Sequence, residues 1–422
     1  MSRVIRRRWI ADFSAPSRRD RRSCEYEAYV PDLLVSRAIT LDGDVAADIV
    51  DAETAIARLN MQASSLVDTE ALARILLRAE SVASSKIEGL QVGARRLLRA
   101  EAARELAEPS SDITATEVLA NIEAMVYAIQ NARVGEPITV DLLLDIHRRL
   151  LAGSRIEDHS GRFREAQNWI GGSDHHPCDA AFVPPPPELV GELVEDLVAF
   201  CNAESLPAVA QAAIAHAQFE TIHPFVDGNG RTGRALVHVV LRRRGLAPRV
   251  LPPVSLILAT WAKDYIGGLI ATRYPGSVES PAATQGMNLW IGRFAGACRR
   301  AVEDASSFEQ RVMAIQTEWR ERLGAVRARS SADLLLRALP GAPILTVNSA
   351  AQLIGRSFPQ TNEAITRLVE ARILKQITMG RRNRAFEAPQ IIKAFADLER
   401  QLASPEGDTR VSPPARPVPS RT

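Results

Sequence analysis

The sequence predicts a mainly α protein with one small β-hairpin in its middle and a compact C-terminal region of three helices and a second hairpin. Three observations predict it. Apolar residues recur at three- and four-residue spacing through most of the chain, the period of a helix with one buried face. Short extended runs bounded by glycine, proline or polar turns occur in residues 161–187 and 373–388. At 422 residues the chain exceeds the size of a single core, so two or three domains are expected.

Composition narrows the class. A net charge of +2 argues against a wholesale nucleic-acid coat. No apolar run approaches the roughly 20 residues of a membrane span, so a cytoplasmic protein without a membrane partner is expected. Cys24, Cys178, Cys201 and Cys298 lack metal-ligand spacing and read as free thiols of a reducing compartment.

Residues 1–25, with Arg3, Arg6, Arg7 and Arg8 and little periodicity, read as a flexible basic arm. Region 26–110 begins with Tyr26–Leu34, which reads as a strap on the globular body. Val45, Ile49, Ala52, Ile56 and Leu59 then mark one helix, and Leu72, Ile75, Leu76, Ala79 and Val82 a second. The second runs into Ser84-Ser85-Lys86-Ile87-Glu88-Gly89. Gly89 suits the residue after a helix end, and Ser84 and Glu88 lie four apart on one side. Glu88 stands where the helix dipole disfavours a carboxylate, which invites a positive partner.

Region 111–300 is expected to be the main globular unit. Thr114–Gln130 and Thr139–Leu151 are amphipathic helices, and His147 reads as a packed or solvated histidine without chemistry. In residues 161–187, Asn168, Trp169, Ile170 and Gly171 form the candidate strand of a hairpin. His175-His176 lacks an acidic or cysteine partner at ligand spacing, so no metal site is read there. Glu188–Ala203 and Ala208–Phe219 are helices, another is expected over Trp261–Ala271, and Trp290 and Phe294 close the core.

Residues 223–234, His-Pro-Phe-Val-Asp-Gly-Asn-Gly-Arg-Thr-Gly-Arg, concentrate the chemistry. Pro224 breaks the preceding helix, and helical character resumes over Arg231–Arg244. The segment is therefore a loop feeding a helix start, where unpaired N–H groups and a partial positive charge suit phosphate. Gly228 and Gly230 let the amides around Asn229 converge on an anion, and Arg231 and Arg234 share a helix face. Asp227 beside phosphate calls for a cation, and Mg²⁺ commonly bridges one or two carboxylates to phosphate oxygens. His223 remains as a base able to work near neutral pH.

These twelve residues match without departure the signature His-x-Phe-x-(Asp/Glu)-Gly-Asn-Gly-Arg-x-x-Arg of Fic-domain proteins, and the chain resembles that family. The resemblance implies a helical Fic fold and transfer of AMP from ATP to a Ser, Thr or Tyr hydroxyl of a target protein. It implies that His223 is the base, that Asp227 holds Mg²⁺, and that Asn229 with the amides of Gly228 and Gly230 binds the α-phosphate region. Arg231 and Arg234 would meet the β- and γ-phosphates; Tyr265 stands where the family lines its adenine pocket, and reads also as a buried core tyrosine. Residues 168–171 resemble the family's flap, which registers a target segment by strand addition. Ser84, Glu88 and Gly89 resemble its inhibitory motif (Ser/Thr)-x-x-x-Glu-(Gly/Asn), implying that Glu88 pairs with Arg234 and blocks the γ-phosphate.

Residues 301–329 read as a charged helical connector, and 330–400 resemble a winged helix-turn-helix. There Gln360, Thr361, Asn362 and Arg367 would face a major groove, while Arg381, Arg382 and Arg384 would meet phosphate. The same fold serves protein contacts or oligomerisation. Residues 401–422, rich in Pro, Ser and Arg, read as a disordered tail. The leading expectation is an autoinhibited adenylyltransferase. The alternatives are removal of AMP with Glu88 positioning water, or a DNA-binding regulator with a self-modifying catalytic core. Candidate partners are ATP, a protein target, DNA and a second copy of the chain.

Overall fold

The computed structural model describes residues 2–65, 69–105, 112–379 and 383–401. The chain opens with an antiparallel hairpin of β1 (Arg3–Trp9) and β2 (Cys24–Val30), in register from Arg3 opposite Val30 to Trp9 opposite Cys24. The expected flexible arm is thus a folded element. Its arginines mask the pattern, but β2 buries Ala28 and Val30, and a disulfide joins Cys24 to Cys178. That bond also corrects the reading of four free thiols: Cys201 and Cys298 are buried and form no disulfide. The thiol argument for a reducing compartment therefore lapses.

Helices α1 (Gly43–Ser65), α2 (Thr69–Ile87), α3 (Ala94–Glu105), α4 (Ile113–Asn131) and α5 (Val140–Leu150) follow. Thr139 caps α5, its hydroxyl accepting the Leu142 N–H at 3.1 Å. After a stretch of turns come α6 (Val190–Asn202), α7 (Ala208–Ile222), α8 (Asn229–Arg243), α9 (Val254–Thr260), α10 (Ala262–Ala271) and α11 (Pro281–Leu323). The single helix expected around Trp261–Ala271 follows a separate short one. The expected boundary at residue 300 falls inside α11, whose helical pattern continues without a glycine or proline after Gly296.

The C-terminal region contains α12 (Ser331–Ala338), β3 (Ile344–Leu345), α13 (Val347–Ile354), α14 (Phe358–Glu370), β4 (Lys375–Met379), β5 (Asn383–Glu387) and α15 (Pro389–Gln401). Its strands order β3-β5-β4, all antiparallel. Thr361, expected to face outward, is fully buried, its hydroxyl donating to the Ser357 carbonyl at 2.9 Å. Gln360 closes a capping box with Ser357, whereas Arg367 and Arg384 are exposed. Arg381, Arg382 and the 402–422 part of the expected tail lie outside the described residues.

Two compact units emerge, and they cut across the expected boundaries. The first comprises Met1–Glu53, Tyr127–Leu246 and Lys263–Gly296. At its centre lie α7, every residue of which is buried, and α8, buried at all positions but Arg242. A helix buried all round must be apolar or small all round, which explains the alanines of α7. The pair packs closely because Gly233 carries no side chain: a Cβ there would lie 3.0 Å from both Phe219 Cδ1 and Glu220 Oε1. Trp290 of α11 donates its indole N–H to the Ala213 carbonyl at 2.7 Å.

The second unit comprises Thr54–Val126, Ala247–Ala262 and Ala297–Thr422. Val82 of α2, Leu97 of α3, and Val118 and Ile122 of α4 share one apolar cluster; Leu98 of α3 joins Ile344, Ala385 and Ile392 in another. Inside this unit Glu80 accepts the Ser255 N–H at 2.7 Å and also its hydroxyl. The end of α2 is fixed by Asn121, whose amide donates to Ser81 O at 2.8 Å and Ser85 Oγ at 2.9 Å.

Candidate active site

The site grows from the turn between α7 and α8. His223 terminates α7 in the left-handed region, with φ +49° and ψ +60°. That conformation is uncommon for a side chain larger than glycine and persists only when surroundings fix it. Arg164 supplies much of that restraint. Its Nε donates to the His223 carbonyl at 2.9 Å, its Nη atoms donate to Pro185, Ala166 and Ile222 carbonyls, and its own N–H donates to Pro224 O. Burial pulls the Arg164 pKa down to about 10, so it stays charged at neutral pH. Asn168 adds a second amide donor, at 3.3 Å from His223 O and 3.0 Å from Phe225 O.

The rest of the loop is held from inside. Asn229 Oδ1 accepts the Phe225 N–H at 2.8 Å, and its Nδ2 donates to the Phe225 carbonyl at 2.9 Å. His147 stacks on the Phe225 ring with centroids 3.7 Å apart. Its Nδ1 accepts the Gly161 N–H at 3.0 Å, which fixes the proton on Nε2, and Nε2 donates to the Asp227 carbonyl at 2.9 Å. Burial depresses its pKa to about 4, so the ring is neutral near pH 7. Gly228 precedes α8 with φ +77°, and a Cβ there would meet Leu150 Cδ2 at 2.9 Å. The first bond of α8 runs from Thr232 N–H to Gly228 O. The amides of Asn229 and Gly230 precede it, in the turn where helices hold anions.

Ionisable groups flank this turn. His223 is partly exposed, with Nδ1 4.0 Å from Glu220 Oε2. The Asp227 carboxylate is 60% exposed and lies 3.8 Å from the Arg231 guanidinium. Arg234 is buried, with Nη1 3.5 Å from the Tyr265 hydroxyl, and that hydroxyl lies 2.9 Å from His216 Nε2. Burial and the Arg234 charge push His216 down to about 3.

The structure brings His223, Asp227, Gly228, Asn229, Gly230, Arg231 and Arg234 to one turn and helix start, as the sequence placed them. Two side chains make contacts that the sequence did not reveal. Asn229 holds the loop through Phe225, its Oδ1 accepting the Phe225 N–H and one of its two amide N–H groups donating to the Phe225 carbonyl. Tyr265 is buried against His216, Trp290 and Arg234, where it buttresses the arginine. The segment expected as the flap shows a single antiparallel bridge between Ile170 and Phe182, with Trp169 and Gly171 beside it. Glu88 follows α2 directly and is exposed. Gly89 has φ +84°; its N–H donates to Lys86 O, and Leu90 N–H donates to Ser85 O, closing the helix end. Ser84 is buried. Arg164 escaped sequence reasoning, because contacts to distant carbonyls leave no periodic signal, whereas His147 is packed, one of the two states read for it.

The structural class is thus a helical fold with a histidine set beside a helix start of the kind that receives anions. The chain carries a Fic/DOC family domain: residues 137–241 match the Fic/DOC family, and residues 46–130 match the Fic/DOC family N-terminal region. It is 38% identical over 120 residues to protein adenylyltransferase fic-1 of Caenorhabditis elegans, covering 28% of this chain and 22% of that protein. It is 35% identical over 163 residues to protein adenylyltransferase Fic of Nematostella vectensis, covering 37% of this chain and 35% of that one. The aligned segments thus span about a fifth to a third of these relatives' own length. The crystal structure of a Fic family protein from Desulfovibrio desulfuricans G20 shares the fold, with a TM-score of 0.50 at 22% identity, covering 83% of this chain and 97% of that one.

Proposed function

We propose that this chain transfers AMP from ATP to a Ser, Thr or Tyr hydroxyl of a target protein. The observation that carries the reading is His223, held left-handed at the end of α7 directly before the first-turn amides of α8. His223 takes the proton of the target hydroxyl, whose oxygen bonds to the α-phosphorus while pyrophosphate leaves. Glu220, 4.0 Å from the ring, stabilises the imidazolium that forms. The amides of Asn229 and Gly230, with Arg231 and Arg234, hold the phosphates and the charge that builds on the leaving group.

Asp227 fits Mg²⁺. It is a single exposed carboxylate at the helix start, and among the described residues no cluster of three or more His, Cys, Asp or Glu side chains could hold a metal alone. The nucleotide would complete the shell, and the ion would screen phosphate charge. Residues 168–171 would register the target strand beside the Ile170–Phe182 bridge.

Glu88 is proposed as the brake, pairing with Arg234 and excluding a productive γ-phosphate. The inhibitory motif and the fixed end of α2 support it. Incubation with labelled ATP and Mg²⁺, wild type beside Glu88→Gly, tests both proposals. Label is expected on the variant at several times the wild-type level; no label on either protein overturns the activity, and equal label overturns the brake.

A second reading assigns DNA binding to the 330–400 region. It is favoured by exposed Arg367 on α14 and exposed Arg384 on β5, the latter over the Phe386 ring at 5.4 Å. A duplex shift that weakens steeply with salt is the expected outcome, and a shift that ignores salt overturns it.

A further inference from the structure

The β1–β2 hairpin belongs to the same compact unit as the flap and is fastened to it. Cys24, at the start of β2, is disulfide-bonded to Cys178 in the turn Pro177–Asp179. Arg22 Nη1 donates to both Asp179 carboxylate oxygens, at 3.0 and 2.9 Å. Trp9 meets Trp169 edge-on with centroids 5.3 Å apart, and Tyr29 N–H donates to Val183 O at 2.9 Å. The hairpin tip, residues 10–23, is therefore positioned by the flap that would hold the target strand.

The tip has the wrong surface for a mere strap. Residues 2–30 hold eight arginines and four carboxylates, although the whole chain is close to neutral at +2. Arg6, Arg7 and Arg22 are paired with Glu27, Glu188 and Asp179. Asp12 and Asp20 accept hydrogen bonds from Ser14 and Ser17, and Glu25 lies opposite Arg8 in the register. Arg8, Arg18 and Arg19 are exposed, and none of them forms a direct ion pair among the described residues. Between them Ile10 and Phe13 are 76% and 78% exposed. Large apolar side chains left in water amid cations mark a contact surface.

Resting on the adenylyltransferase reading, we infer that this tip is a second docking surface for the target, taking an acidic protein segment that carries apolar side chains. Strand addition at the flap reads backbone and tolerates sequence, so selectivity must come from beyond it. Unpaired arginines supply charge complementarity and steer encounter. Ile10 and Phe13 supply apolar anchors that a phosphate backbone would not use, and the interspersed carboxylates disfavour nucleic acid.

The test is fluorescence anisotropy without nucleotide. One labelled 16-residue peptide carries a Thr, a tract of Glu and two Leu; a control replaces Glu by Gln. The acidic peptide is expected to bind about tenfold more tightly than the control, the difference shrinking as salt rises from about 50 to 300 mM. Arg8→Glu/Arg18→Glu/Arg19→Glu should lose about tenfold in affinity, and Ile10→Ser/Phe13→Ser several-fold. These side chains are exposed, and the wild-type peptide and salt comparisons hold without any variant. Equal binding of the Glu and Gln peptides overturns the inference. So does tighter binding of a 16-base-pair duplex that the triple variant loses. Peptide binding without AMP transfer supports the docking surface while refuting the activity.

Discussion

Arg164 Nε donates to the carbonyl of His223 at 2.9 Å, across 59 positions of sequence. One buried cation thereby sets the backbone of the candidate base and, through Ala166 and Pro185, both ends of the flap segment. The candidate base and the segment proposed to register the target share a single fastening.

Arg164→Ala should leave four carbonyls short of a donor and cost about 3 kcal/mol of stability. Arg164→Lys, which keeps the charge but cannot reach all four, should lower transfer about a hundredfold with KM nearly unchanged. Initial rates and thermal melts in a Glu88→Gly background check both; a Lys variant with wild-type rate refutes the positioning role.

His147 predicts an acid-sensitive loop. Unfolded, its ring takes a proton near pH 6.5; folded, it resists until about 4. Below pH 6.5 the unfolded chain binds more protons, so stability falls as pH drops and the loss levels off below about 4, at roughly 3 kcal/mol for this group. His147→Gln should flatten that share of the slope while lowering stability at pH 7. Denaturant midpoints between pH 7.5 and 4.5 measure it.

His223→Ala should reduce transfer by about a thousandfold while leaving nucleotide binding within about twofold. Binding of a labelled ATP analogue separates the two effects. A variant that keeps its rate removes the general-base assignment.

Gly233→Ala should cost about 1–3 kcal/mol, because the new methyl would crowd Phe219 Cδ1, Glu220 Oε1 and His216 Nδ1 at 3.0, 3.0 and 3.1 Å. Pushing α7 from α8 also moves His223, so melting temperature and rate should fall together.

What could be read beforehand was local. The 223–234 loop announces itself through a proline, glycines and a helix start within twelve residues, and Gly89 ends α2 as its position suggested. What could not be read was long-range. His147 meets Asp227 across 80 positions, and the partner of Cys24 lies 154 positions away. The β1–β2 hairpin was hidden by arginines on both faces, and Thr361 by a buried hydroxyl that satisfies itself within α14. α3, rich in Arg and Glu, carries too weak an apolar stripe to suggest that Leu97 and Leu98 serve two different clusters.

The bond between Cys24 and Cys178 makes the preparation itself a variable. Material from a host that keeps thiols reduced would lack the covalent link between the hairpin and the flap, with the sequence unchanged. Two laboratories could then compare chemically different proteins under one sequence; a non-reducing gel would tell them which one each had purified.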